Sequence, residues 1–150
     1  MAAKWKCTVV ALASLVALSL AAQGTLQVKV KELASHPFRN KDLVVTIAEL
    51  DGYKAFSPQR KHSGRARVAL SLENASSEFK VFSPQDLSLV GKDGFQVFPI
   101  YELNLADDTI PMALHLVPGA RVKVEYVLTG RLSFPAKIYL GGVLVAEVSE

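Results

Sequence analysis

The densest group of side chains able to do chemistry is cationic: Arg60, Lys61, Arg65 and Arg67 fall within eight residues, with His62 among them. Arg60, Lys61, His62 and Arg65 together form a candidate anion-binding loop, because guanidinium and ammonium groups donate charge-assisted hydrogen bonds to phosphate or carboxylate oxygens. A phosphate-bearing envelope polymer or an acidic protein would suit it. The plainer alternative is a solvated loop that runs into a strand whose Arg67 faces water. No aromatic residue interleaves the cluster, so stacking of single-stranded nucleic acid bases has little to rest on.

Other reactive residue types are dispersed. His36, His62 and His115 sit in separate segments with no second histidine at ligand spacing, which argues against zinc. Met112 and His115 combine thioether sulfur with imidazole, ligands that suit copper(I), and they define an alternative reading as a periplasmic copper carrier. Such carriers use more methionine, and core filling explains Met112 equally. Asp107 and Asp108 are adjacent, so on a strand they point apart and in a loop they are solvated. Asp86 and Asp93 occupy turn positions, where aspartate accepts a hydrogen bond from its own backbone.

No Gly-x-Ser-x-Gly elbow, phosphate-cradling glycine loop or dinucleotide fingerprint is present. The one cysteine, Cys7, lies in a segment expected to be removed. The expectation is a non-enzymatic protein without a catalytic residue, a cofactor or a bound metal.

The elements that would position these residues are strands. Arg67 to Glu73 places Val68, Leu70 and Leu72 on one side and Arg67, Ser71 and Glu73 on the other, a period of two. Arg121 to Thr129 repeats the alternation with Val122, Val124, Tyr126 and Leu128 toward the same core. Between them, Asp86 to Val90 and Phe95 to Phe98 flank Gly91-Lys92-Asp93-Gly94, a β-hairpin signal. Thr25 to Lys31 alternates and reads as the first strand, His36 to Asp42 as a connection, and the β-branched Leu43 to Leu50 as another strand. Ser83 to Asp86 reads as a turn of 3-10 helix, Phe79 to Phe82 as a short strand, and Gly141-Gly142 as the turn of a closing hairpin. Asn74-Ala75-Ser76 matches a glycosylation acceptor, although a turn that begins at Asn74 explains it as well. Phe-Ser-Pro-Gln occurs at Phe56 and Phe82 with unlike flanks, so it marks turn chemistry and not a duplication. About nine short strands, turns at roughly ten-residue spacing and no amphipathic helix predict an all-β, antiparallel sandwich.

Ahead of it, Lys4 and Lys6 precede an uncharged run from Cys7 to Ala22 that ends in small residues. The run is short of the ~20 residues of a membrane span, and the pattern is that of a signal peptide over residues 1–22, cleaved between Ala21 and Gly24. An uncleaved anchor is the alternative, and either way the remainder is exported to the periplasm or outside. Loss of Lys4 and Lys6 from 17 basic residues leaves 15 against 14 acidic ones, a formal charge of about +1. A body so near neutral has no global attraction for nucleic acid, and its only membrane contact would be the leader. Without cysteine it must stand on packing alone.

The strand that ends in Glu73-Asn74, followed by Ser83-Pro84, Asp86-Leu87-Ser88-Leu89, Lys92-Asp93-Gly94, Leu116-Val117-Pro118-Gly119 and Tyr126-Val127-Leu128-Thr129-Gly130, resembles a bacterial family of exported immunoglobulin-like sandwiches. That family is related in fold to an immunoprotective extracellular antigen of mycobacteria and is sometimes labelled telomeric repeat-binding factor. The resemblance spans about Thr25 to Val148 and implies an immunoglobulin-like sandwich domain over residues 25–148, preceded by an export signal. Its motifs are turn and core positions, so it carries over no catalytic residue. Many members are lipoproteins or have a membrane helix, whereas this chain has no lipid-receiving cysteine. The expected role is a binding or scaffold module of the cell envelope or extracellular space, with a protein or an anionic envelope polymer as partner.

Overall fold

The computed structural model describes residues 25–52, 64–102 and 113–150, with Tyr101 and Glu102 described by backbone alone. The predicted leader, residues 1–22, lies outside the described residues. Twelve strands are described, and all their pairings but one are antiparallel.

One five-stranded sheet runs in the order β1 (Leu26–Lys29), β12 (Val143–Ser149), β11 (Ala136–Leu140), β6 (Leu87–Val90) and β7 (Gln96–Val97). The other runs β2 (Phe38–Asn40), β3 (Leu43–Asp51), β4 (Arg67–Asn74), β10 (Arg121–Leu128) and β8 (Pro99–Glu102). β5 (Lys80–Phe82) and β9 (Leu114–Leu116) form a separate two-stranded ribbon. The exception to antiparallel pairing is β1, which lies parallel to β12 with Leu26 opposite Ala146.

Alternation explains how the layers close. Val68, Leu70 and Leu72 of β4 sit opposite Tyr126, Val124 and Val122 of β10, so the two runs are neighbours in one sheet and share an inward face. Their side chains meet Leu87, Leu89, Ile138, Leu140, Ala146 and Val148 of the other sheet in one buried cluster. Phe82 and Leu116 of the ribbon join the same cluster. The hydrophobic effect over this shared face holds the layers together.

Three expectations need correction. The first strand stops at Lys29, and Val30–Ser35 form a 3-10 helix. Glu32 turns back to accept a hydrogen bond from the Lys29 N–H at 3.2 Å, and the turn brings Leu33 into the core, which straight alternation through Lys31 would not do. Second, the segment read as a connection contains β2, which pairs with β3 through Phe38–Val45, Arg39–Val44 and Asn40–Leu43. Lys41 (φ 46°) and Asp42 (φ 70°) make this possible by adopting left-handed backbone in the two-residue turn, a conformation usually given to Asn-Gly. Third, Arg67 does not face open water, since its side chain is 15 % exposed and ion-paired to Asp51 and Glu125 on the flanking strands. Cross-strand carboxylates at these positions turn an outward arginine into a clasp over the sheet surface.

The turns fall where their chemistry directs. Gly94 takes φ 81° between β6 and β7, and Asp93 Oδ1 accepts the Phe95 N–H at 3.2 Å. Pro84–Asp86 form the expected 3-10 turn. Gly141 and Gly142, both with positive φ, close the β11–β12 hairpin.

Candidate binding surfaces

Of the predicted anion-binding residues, Arg65 is described and half-buried, while Arg60, Lys61 and His62 lie outside the described residues. The ends of the segment that carries them are nevertheless placed. Gly52 accepts the Leu132 N–H at 2.8 Å, and Ala66, next to Arg65, donates its N–H to the Gly130 carbonyl at 2.8 Å. Both ends are thus tied to one short stretch, Gly130 to Leu132, which also carries Arg131. Lys92 donates its backbone N–H to the Ser133 carbonyl at 3.2 Å, bringing the β6–β7 turn to the same place.

An open cavity of about 630 Å³ lies here, lined by Lys92, Asp93, Arg131, Ser133 and Glu150 among others. Its rim mixes two cations with two carboxylates, so a net positive field at this end depends on Arg65 and on the adjoining segment. Gly52 is required at the base: a Cβ would stand 2.6 Å from both the Leu132 carbonyl oxygen and a Phe134 ring carbon.

His115 lies on β9, paired with Val81, and is exposed, whereas Met112 lies outside the described residues. Asp107 and Asp108 also lie outside them. Among the described residues no three His, Cys, Asp or Glu side chains gather as a metal site would require. Asp86 contributes its backbone carbonyl, which accepts the Gly141 N–H at 2.7 Å.

Asn74, singled out as a possible glycan acceptor, is the buried polar hub of the structure. Its Nδ2 donates to the carbonyls of Glu78 at 2.7 Å and Leu116 at 2.9 Å, and its Oδ1 accepts from the Ser76 N–H at 3.0 Å and the Ser76 hydroxyl at 2.8 Å. A glycan there would take the place of an inward hydrogen-bond donor on a residue with no exposed surface.

Two apolar surfaces carried no sequence signal, because exposure of an aliphatic residue depends on which partner strand is missing. On the ribbon, Phe79, Val81 and Val117 are exposed beside His115. Lys80, on the opposite side of β5, reaches Asp42 at 3.2 Å and Glu78 at 3.6 Å. The hydrogen bond to Asp42 holds the Lys80 ammonium charged above its ordinary range. The second surface is a groove of about 430 Å³ between the edges of the two sheets, lined by Leu26, His36, Phe38, Arg39, Val143 and Val145 among others.

No helix among the described residues is long and apolar enough to cross a membrane. No protein-family model matches the chain, and no curated protein matches it. Among solved structures the chain is similar to the yjhA protein of Bacillus subtilis, at 15 % identity and a TM-score of 0.49, over 81 % of this chain and 84 % of that one.

Proposed function

We propose that the protein is an exported, non-enzymatic module with an immunoglobulin-like β-sandwich fold, which binds an anionic envelope polymer or an acidic protein through one end of its two sheets. Export rests on the basic start and the uncharged run from Cys7 to Ala22. The immunoglobulin-like assignment rests on the turn and core motifs between Glu73 and Gly130, and the two sheets around one core are compatible with it.

The observation that carries the binding reading is the shared anchorage at Gly130 to Leu132. Hydrogen bonds from Ala66 to Gly130 and from Leu132 to Gly52 bring Arg65 to the stretch that holds Arg131, beside Lys92. Arg60, Lys61 and His62 belong to the segment between those two anchors. A loop displayed by a rigid sheet is where binding residues concentrate in β proteins. An anion would be recognised by charge density, with no need for a conformational change or a covalent step.

Inorganic polyphosphate is a suitable probe. Its affinity is expected to fall steeply between 50 and 300 mM salt, by about ten-fold or more, because exposed charge pairs are screened over a Debye length of ~10 Å. The paired reversals Arg60→Glu and Lys61→Glu should abolish it, and Arg65→Glu should weaken it. Binding that ignores both salt and charge reversal would remove this reading.

A further inference from the structure

Asp-Gly occurs twice in the chain, at Asp51-Gly52 and Asp93-Gly94, and each pair is followed by an aromatic residue, Tyr53 or Phe95. The dipeptide is chemically labile, because glycine puts no side chain in the way when its backbone nitrogen approaches the aspartate carboxyl carbon. With local sequence so closely matched, the fold decides which of the two reacts. Asp51 is the last residue of β3 and sits opposite Arg67 of β4, its carboxylate 3.4 Å from the guanidinium. The Gly52 carbonyl accepts the Leu132 N–H at 2.8 Å, and a Cβ on Gly52 would stand 2.6 Å from the Leu132 carbonyl oxygen and a Phe134 ring carbon. Neither the carboxyl group nor the glycine peptide can swing toward the other unless the end of the sheet opens.

Asp93 is held differently. It lies in the exposed turn between β6 and β7, outside any strand. Gly94 takes φ 81°, and a Cβ built on it would meet nothing within 4 Å, so the space beside its peptide is open. Asp93 Oδ1 accepts the Phe95 N–H at 3.2 Å, which folds the carboxyl group back over the intervening Gly94 amide. That amide donates across the turn to the Gly91 carbonyl at 2.9 Å, a bond that can open without disturbing a strand ladder.

We infer that Asp93 is a site of spontaneous isomerisation to isoaspartate, and that the fold protects Asp51 from the same reaction. The Gly94 nitrogen bonds to Asp93 Cγ, and the carboxyl O–H leaves with the amide proton as water, closing a succinimide ring. Water then adds to one of the two ring carbonyls. Opening at Cγ restores aspartate, whereas opening at the backbone carbonyl carbon leaves the chain running through the side chain, one carbon longer. Solvent supplies the water, and no oxidant or reductant takes part. The new linkage falls on the rim of the cavity that Asp93 lines together with Lys92 and Arg131, but the inference stands apart from any ligand of that cavity.

The test compares folded protein, recovered from expression of the full chain, with the same protein in guanidinium chloride, both held for weeks at neutral pH in oxygen-18 water. Hydrolysis of the succinimide introduces one heavy oxygen at the reacting residue, and electron-transfer fragmentation of the peptides separates aspartate from isoaspartate. In folded protein, isoaspartate from Asp93 is expected to exceed that from Asp51 by about ten-fold or more, since ten-fold corresponds to an opening cost of about 1.4 kcal/mol at the end of β3. In guanidinium chloride the two sites should agree within about three-fold, the difference that residual structure in an unfolded chain allows. Asp93→Asn, which closes the same ring with loss of ammonia, should convert to aspartate and isoaspartate faster than the parent protein isomerises. A smaller ratio in folded protein, silence at both sites, or a preference for Asp93 that persists undiminished in guanidinium chloride would overturn the proposal. So would an Asp93→Asn chain that keeps its amide.

Discussion

Asn74 shows how one polar side chain can organise two elements that no backbone ladder joins. It sits at the end of β4, yet its amide reaches Glu78 ahead of β5 and Leu116 at the end of β9, so the ribbon is fastened to the second sheet through it. Its backbone takes part as well: the N–H donates to Ala120 and the carbonyl accepts from Gly119, both at 3.0 Å. Asn74→Ala would strand two carbonyls and the Ser76 donors, and should lower stability by about 2–4 kcal/mol, read from urea unfolding at an unchanged m-value. The same geometry predicts that folded protein secreted from a eukaryotic host carries unmodified Asn74, which peptide mapping would establish. The ion pairs differ in weight for a similar reason. Arg67, mostly covered, is held between Asp51 and Glu125, whereas the Arg121–Glu73 pair is largely solvated and contributes at most about 1 kcal/mol.

At the scale of elements, turns decide the register. The β2–β3 turn places Lys41 and Asp42 in left-handed backbone, where a side chain is unfavourable. Asp42 offsets this by pairing with Lys80 and by accepting the Ala75 N–H through its carbonyl at 3.2 Å, while Lys41 makes no described contact of that kind. Lys41→Gly should therefore raise stability by about 0.5–1 kcal/mol, visible as a thermal midpoint higher by a few degrees. Gly52 is the opposite case. Its neighbours Leu132 and Phe134 leave no space for a methyl group, so Gly52→Ala should cost about 1–3 kcal/mol and disturb the anchorage of the cationic segment, reducing polyphosphate affinity with it.

Across the whole molecule, stability rests on apolar packing between two five-stranded sheets and on the ribbon that plugs one flank with Phe82 and Leu116. If the leader is removed as proposed, no cysteine remains, and the thermal midpoint of the mature protein should then be the same with and without reductant. Its intact mass should correspond to a chain beginning between Ala22 and Thr25, and a product that retains Met1 would show that the leader is an anchor instead. The proposed anion-binding surface depends on the hydrogen bonds that tie Gly52 and Ala66 to the stretch from Gly130 to Leu132.

By itself the sequence determined the strands that alternate, the turns built on glycine, proline and aspartate, and the all-β class, because period two and turn chemistry are local properties. Val68, Leu70 and Leu72, or Gly141-Gly142, needed no distant partner to be read. Tertiary structure alone decided what depends on contacts between remote segments. Leu33 pulled residues 30–35 out of the first strand because the core offered it space, and β3 recruited β2 from an apparent connection. Arg67 became a clasp because Asp51 lies opposite it on β3 and Glu125 lies diagonally across from it on β10, and Asn74 became a hub because Leu116 lies beside it across 42 residues of chain.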